Sequence, residues 1–469
     1  MKTILLNEWR GFYRNKLFLI IILFFSLSLF LTTTLSISQS KKQINSQIEA
    51  KEHIRNQWDS MDSSNPHKAA HFGSYAFKPI NILSSLDEGV NSVTGNVLRL
   101  EGHVQNDVIF SENSQSLLIS KFGKLKPSLL FQFIIPLFLI FLTFNNYIKD
   151  KESGRLKLIL VQGASLKDVL FSKLYSIWII GISLLFFTML IQLTFSFGDI
   201  DFDILYRLLF VFLCYSLYYF IIINLTLLLS FIFNNATASL SIMIIIWIMW
   251  TVFLPKIIGN AVENISPLPT RVDFNNSMSY DRSKGIDGHN PTGIRRQELE
   301  DKILSEYNVA KIEDLPINFT GVLMQADEEY GNKVWDKHFG NLYDQLKSQK
   351  KYYQLSGFIN PFSSLQNISM GLSGSDMFHH LDFLSQAENY RRFLIKQLND
   401  EYAFGGSVSG DRSWKASKEF FQSIEDFNYN FPSFFSFLNK YLIDVFVLFF
   451  WFFMLLYLLV SKSRKMTIL

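Results

Sequence analysis

The chain alternates between long apolar blocks and long polar segments. Six blocks stand out: Leu17–Ile37, Leu129–Tyr147, Leu174–Phe195, Leu208–Phe233, Ala238–Ile258 and Tyr441–Val460. A bilayer core roughly 30 Å thick takes about 20 consecutive apolar residues to cross as a helix. In lipid every backbone N–H and C=O must be paired within the segment, so runs of this length read as helices. The pattern predicts an all-α membrane protein with six transmembrane helices. The polar segments 38–128 and 259–436 carry helical stripes of their own. Ile44, Ile48, Trp58 and Met61 form one; Tyr330, Val334, His338, Leu342 and Leu346 form another; His380, Phe383, Leu384, Ala387, Tyr390 and Leu398 form a third. Such stripes predict a domain core. Glycine-rich breaks at Gly285–Gly288 and Gly405–Gly410 read as loops.

The expected organisation follows from these limits. Residues 1–16 form a short helix lying in the membrane interface, and 17–37 the first span. Residues 38–128 are a first insertion. Residues 129–258 hold spans two to five with a charged link at 148–173. Residues 259–436 are a second insertion, and 437–469 the last span and a tail. In the opening helix Ile4, Leu5, Trp9 and Phe12 alternate with Glu8, Arg10 and Arg14, which suits an interfacial position. An ordinary basic flank is the other reading. No small-residue cleavage site follows the first block, so it reads as a retained anchor.

Charge sets the orientation. Lys2, Arg10, Arg14 and Lys16 precede span one; Lys149, Lys151, Arg155, Lys157, Lys167 and Lys173 fill the second link; Lys462, Arg464 and Lys465 follow span six. The link between spans three and four instead carries Asp199, Asp201 and Asp203 before Arg207. Basic residues collect on the cytoplasmic side. Both termini and the 148–173 link are therefore expected inside, and the two insertions outside as one extracytoplasmic domain. A net charge of +3 gives no reason to expect a nucleic-acid partner. Membrane lipids are the expected surroundings. The single cysteine, Cys214, excludes a disulfide within the chain.

Chemistry of the chain's own is sparse. No G-x-x-x-x-G-K-[ST] phosphate loop occurs; the nearest approach, Phe122-Gly123-Lys124, lacks the upstream glycine and the hydroxyl residue. Neither His-Glu-x-x-His nor G-x-S-x-G occurs. No catalytic site and no cofactor are expected in this chain. His67 and His71 stand four apart and would share one helix face, where with His103 they offer ligands for Zn²⁺ or Cu²⁺. No carboxylate or cysteine sits beside them at ligand spacing, so the expectation is a locally hydrogen-bonded pair without metal. His379 and His380 are adjacent and point to different faces. Asp444 is the one ionisable residue inside a span, one turn from its outer end; it is expected to snorkel or to pair with Lys256 or Arg207, with a substrate or ion site as the other reading. Gln192, Asn224 and Thr226 face either a partner helix or a translocation path, and hydrogen bonds between helices are the commoner role.

The link reads Lys151-Glu152-Ser153-Gly154-Arg155-Leu156-Lys157-Leu158-Ile159-Leu160-Val161-Gln162-Gly163-Ala164-Ser165, with Lys173 at the start of span three. Glu152 is expected to open a short helix, and Gly154 to allow a sharp turn. Leu156, Leu158, Ile159 and Leu160 supply apolar surface for a partner. Gly163 breaks the element, and Ser165 with Asp168 forms a capping box. The alternative is an interfacial loop with its leucines among lipid headgroups.

This order of residues resembles the permease subunits of ABC-2-type transporters. So do Asn7-Glu8-Trp9-Arg10 through Lys16, and the turn Asn234-Asn235-Ala236-Thr237-Ala238-Ser239 between spans four and five. The stretches Pro66–Phe72, Leu86–Val90 and Leu100–His103 resemble a bacterial subgroup with large outer insertions. The resemblance implies the transmembrane subunit of a bacterial exporter in the cytoplasmic (inner) membrane. Its partners would be two ABC ATPase subunits, which bind the ATP, and a second permease copy or a paralogue. It also implies alternating access. Glu152, Gly154, Leu156, Leu158, Gly163 and Lys173 would couple to the ATPase, and Glu8, Trp9 and Arg10 would belong to the interfacial helix. The contrasting reading is a sensor or scaffold whose outer domain binds a ligand or a partner protein. Six spans and a charged link exceed what an anchor needs.

Overall fold

The computed structural model describes residues 1–61, 63–104 and 125–465; Phe122-Gly123-Lys124 lie outside the described residues. Six helices are long and apolar enough to cross a membrane. After α1 (Lys2–Arg14) they are α2 (Lys16–Asp59), α4 (Pro127–Glu152), α6 (Leu166–Phe195), α7 (Phe202–Phe233), α8 (Ala236–Ile265) and α15 (Phe434–Arg464). Between α2 and α4 lie α3 (Pro66–Phe72) and the strands β1 (Ser74–Phe77) and β2 (Val97–Leu100). The short helix α5 (Arg155–Val161) joins α4 to α6. Between α8 and α15 lie α9 (Arg271–Lys284), α10 (Thr292–Tyr307), α11 (Phe319–Leu355), α12 (Pro361–Leu372), α13 (Met377–Phe404) and α14 (Lys418–Ser423).

The spans carry local signatures of their sequence. A π-turn at Leu130–Ile134 lies just before Pro136, and another at Met249–Phe253 just before Pro255. Proline has no N–H to offer the carbonyl four residues back, and the wider turn accommodates the missing bond. Asn234 ends α7 in the left-handed conformation, and the Asn235 side chain caps α8 by accepting from the Ala238 N–H at 2.9 Å. This makes the turn between spans four and five two residues long.

The first span does not stop at residue 37. α2 runs on as one helix of 44 residues, about 66 Å at 1.5 Å per residue. Its second half carries Trp58 into the polar domain. There Trp58, Ala69 and Ala70 pack with Leu394, Ile395, Leu398, Phe421 and Ile424. The antiparallel ribbon β1–β2 adds Ala76, Leu98 and Leu100 to Phe383, Ala387, Phe427 and Tyr429. Residues of both polar segments therefore build the same cores. A smaller core around Leu315, Ile317 and Phe319 belongs to the second segment alone.

Part of the second polar segment lies inside the bundle. α12 is buried over most of its length, and Phe362, Leu365, Ile368 and Leu372 share one core with residues of all six spans. Its polar groups are answered there. Asn360 donates to the Trp250 carbonyl at 2.8 Å, Ser369 lies 2.8 Å from the Tyr215 hydroxyl, and Asn367 donates to Asp444 at 3.3 Å. A helix too short and too polar to span is tolerated at this depth because protein surrounds it.

Candidate functional site

At the end of the bundle away from the polar domain, α1 lies against α6 and the short helix α5. Four charged side chains join these elements. The Lys173 ammonium, buried near the start of α6, lies 2.5 Å from Asp150 and 3.1 Å from Glu8. It also donates to Asn146 at 2.9 Å. Arg155, the first residue of α5, reaches the same two carboxylates at 3.3 Å and 3.4 Å. Two cations thus share two anions drawn from α1, α4, α5 and α6. Such a cluster offsets its desolvation only while every member is present. Lys151 adds a tie to the turn between spans four and five, donating to Asn234 at 2.8 Å.

The link itself is two short helical pieces. Gly154 takes a left-handed φ of 73° between them, which needs a residue without Cβ. Glu152 closes the first piece rather than opening the second, and its side chain is exposed. The turn lies at Gly154 as expected, but the helix after it starts at Arg155, three residues later than charge at a helix start suggested. Leu156 is not surface either: it is 3 % exposed and packs into the bundle, because α5 turns this face inward. The apolar side chains left outside are Leu158 and Val161, 65 % and 80 % exposed. Gly163 has a φ of 92° and open space around it. Ser165 and Asp168 form the reciprocal capping box that starts α6.

Glu8 was expected on a polar face of α1 and is instead buried against Lys173; Trp9 is half-buried and Arg10 exposed. Asp150 and Arg155 are the members that sequence reasoning missed as partners. The available signal was one acid, Asp150, among the lysines of the link.

At the opposite end Asp444 is fully buried, yet neither Lys256 nor Arg207 holds it. Gln354 donates to one carboxylate oxygen at 2.6 Å and Asn367 to the other at 3.3 Å. Lys256 is exposed. Arg207 is committed to Asp203 at 2.7 Å and to the Pro432 carbonyl at 2.6 Å. Gln192 accepts from Ser85 at 3.2 Å, and Thr226 donates to its own helix at Ile222. Asn224 is buried among the spans without a protein partner among the described residues. In the polar domain His67, His71 and His103 come together, with one nitrogen of each within 4.8 Å of the others. His379 is instead taken by Asp376 at 2.5 Å.

Six long apolar helices carried on a tied, charged base define a multi-pass membrane protein. The family model described as ABC-2 family transporter protein matches residues 26–272, just over half of the chain, and the chain belongs to that family. A second model, a domain of unknown function (DUF3526), matches residues 273–430. That match takes in α9 to α14, so it covers both the helix buried in the bundle and half of the cores shared with residues 58–100. No curated protein and no solved structure matches the chain. Members of the family are membrane components of transporters that work with ABC ATPase subunits.

Proposed function

We propose that this chain is the permease subunit of an ATP-driven exporter and that α5 is its contact with the ATPase. The base of the bundle, with both termini and residues 148–173, faces the cytoplasm of a bacterium, and the polar domain faces outward from the inner membrane. Two copies, or one copy and a paralogue, work with two ATPase chains by alternating access. One observation carries the reading: Leu158 and Val161 are left uncovered by the chain on a helix clamped by Glu8, Lys173, Asp150 and Arg155. Exposed apolar side chains rimmed by charge mark a docking surface. The clamp joins that surface to α1, α4 and α6, so a push on α5 moves spans two and three together.

The basic residues of the base support the orientation. A cysteine at Ser153, in a Cys214→Ser background, tests it directly. It is expected to resist an impermeant thiol reagent in intact cells and to react after permeabilisation, while a cysteine at His71 reacts in both. Affinity purification from native membranes is expected to bring down an ABC ATPase subunit. Reaction of the Ser153 position in intact cells, or purification without an ATPase, contradicts the proposal.

A further inference from the structure

The three histidines of the polar domain arrive from two directions. His67 and His71 lie one turn apart on α3, whose start is fixed by the Asn65 side chain accepting from the His67 N–H at 2.9 Å. Ala69 and Ala70 of the same helix are buried against α13 residues Leu394, Ile395 and Leu398. α3 therefore cannot turn its histidines away. His103 follows β2 and has a φ of 64°, a left-handed conformation uncommon for a residue with a side chain. Three contacts hold it there. Its N–H donates to Glu328, its carbonyl accepts from Arg282 at 3.1 Å, and its Nδ1 lies 3.1 Å from Glu328 Oε1. Glu328 is buried and is itself gripped by Arg391 at 3.0 Å.

We propose that His67, His71 and His103 bind a divalent transition-metal ion of the imidazole-preferring class, with Zn²⁺ its best fit. The His67 and His71 Nε2 atoms are 3.3 Å apart. Four nitrogens at the Zn–N distance of about 2.0–2.1 Å form a tetrahedron with edges of about 3.3–3.4 Å. Glu328 engages Nδ1 of His103 and leaves Nε2 for the ion. A carboxylate on the far nitrogen is the partner that metal-binding histidines commonly have. One nitrogen of each ring lies within 4.8 Å of the others, so the rings have to close by up to about an ångström and a half to complete three corners. His71 is exposed, so the fourth position faces solvent and takes a water or an exchangeable ligand. A hydrogen bond between His67 and His71 alone accounts for their contact. It does not account for a third imidazole held against them, with ring centroids at 5.4 Å and 5.6 Å, by a left-handed backbone and a buried carboxylate.

The test uses the full-length chain, purified with a tag that contains no histidine, stripped with chelator and titrated with Zn²⁺ and with Co²⁺. The expected result is uptake of one equivalent per chain, with the visible absorption of a tetrahedral Co²⁺ centre. His71→Ala removes an exposed side chain and keeps the fold, as checked by size exclusion and thermal unfolding. It should weaken binding at least tenfold. Glu328→Gln should weaken binding about 10- to 100-fold, the usual effect of losing an outer partner. The absence of saturable uptake in the native chain, or unchanged affinity in the folded His71→Ala variant, overturns the proposal.

Discussion

Lys173 shows what a single side chain can hold together. It is buried, and it pairs with residues from two other elements, one of them 165 positions away in sequence. Lys173→Met leaves Glu8 and Asp150 buried with only Arg155 to share. Breaking a buried ionic cluster from one side costs about 3–5 kcal/mol. The variant should unfold in detergent at a clearly lower temperature than Arg10→Ala, which removes an exposed charge from the same end. Equal unfolding temperatures would mean that the cluster does not hold the base. Each of these charges was legible as a charge near a membrane boundary. Their pairing was not, because distance along the chain carries no register. Asp444 illustrates the same limit. Its burial was legible, but its amide partners Gln354 and Asn367 lie on segments whose depth the sequence did not reveal. A second residue-scale prediction concerns pH. Burial, helped by the nearby Lys78 ammonium, pushes the His380 imidazole down to about 4 from 6.5. The folded domain then refuses a proton that the unfolded chain accepts below pH 6.5. Stability is lost as pH falls through the window from 6.5 to 4, at up to about 1.4 kcal/mol per pH unit. His380→Asn should make the unfolding temperature less sensitive to pH between 7 and 5. An unchanged pH profile would exclude His380 as the source.

At the scale of elements, the six spans could be read from block length because lipid imposes a minimum run of apolar residues. The capping box at Ser165 and the turn at Asn234–Asn235 were legible for an equally local reason: each is decided within four residues. The faces of α5 were not. Leu156 and Leu158 look alike in sequence, and only the fixed exit of the chain at Gly154 sends one inward and the other outward. Nor did the sequence announce α12, since Pro361-Phe362-Ser363-Ser364-Leu365 is too polar for a span. Its burial depends on partners supplied by Asp87, Gln132 and Tyr215. Asp87 accepts from Ser369 at 2.5 Å, Gln132 donates to both Asp87 and Ser369, and Tyr215 shares the same hydroxyl. α12 also fits tightly. A Cβ on Gly371 would collide with the rings of Phe437 and Tyr441. Gly371→Leu should therefore disrupt the seating of α12 against α15, lowering the unfolding temperature and the yield from membranes. Gly340→Leu is the control, since Gly340 has open space around it. If Gly371→Leu behaves like that control, α12 does not sit in the bundle.

For the whole molecule, the structure joins a permease bundle to a domain assembled from two separated stretches of chain. The helix α2 continues from the first span into that domain, and α12 returns from the domain into the bundle. Two helices therefore tie the spans to the polar domain. At the other end the same bundle is clamped to α5 by four charges. The central claim is that Leu158 and Val161 on α5 meet an ATPase. The most direct measurement is ATP hydrolysis and ATPase content of the complex purified with a Leu158→Ser, Val161→Ser chain. Both residues are exposed, so the variant should reach the membrane and unfold at the native temperature. The account predicts that it purifies with little or no ATPase and loses ATP hydrolysis. Native ATPase content and a native hydrolysis rate would place the contact elsewhere and contradict the account.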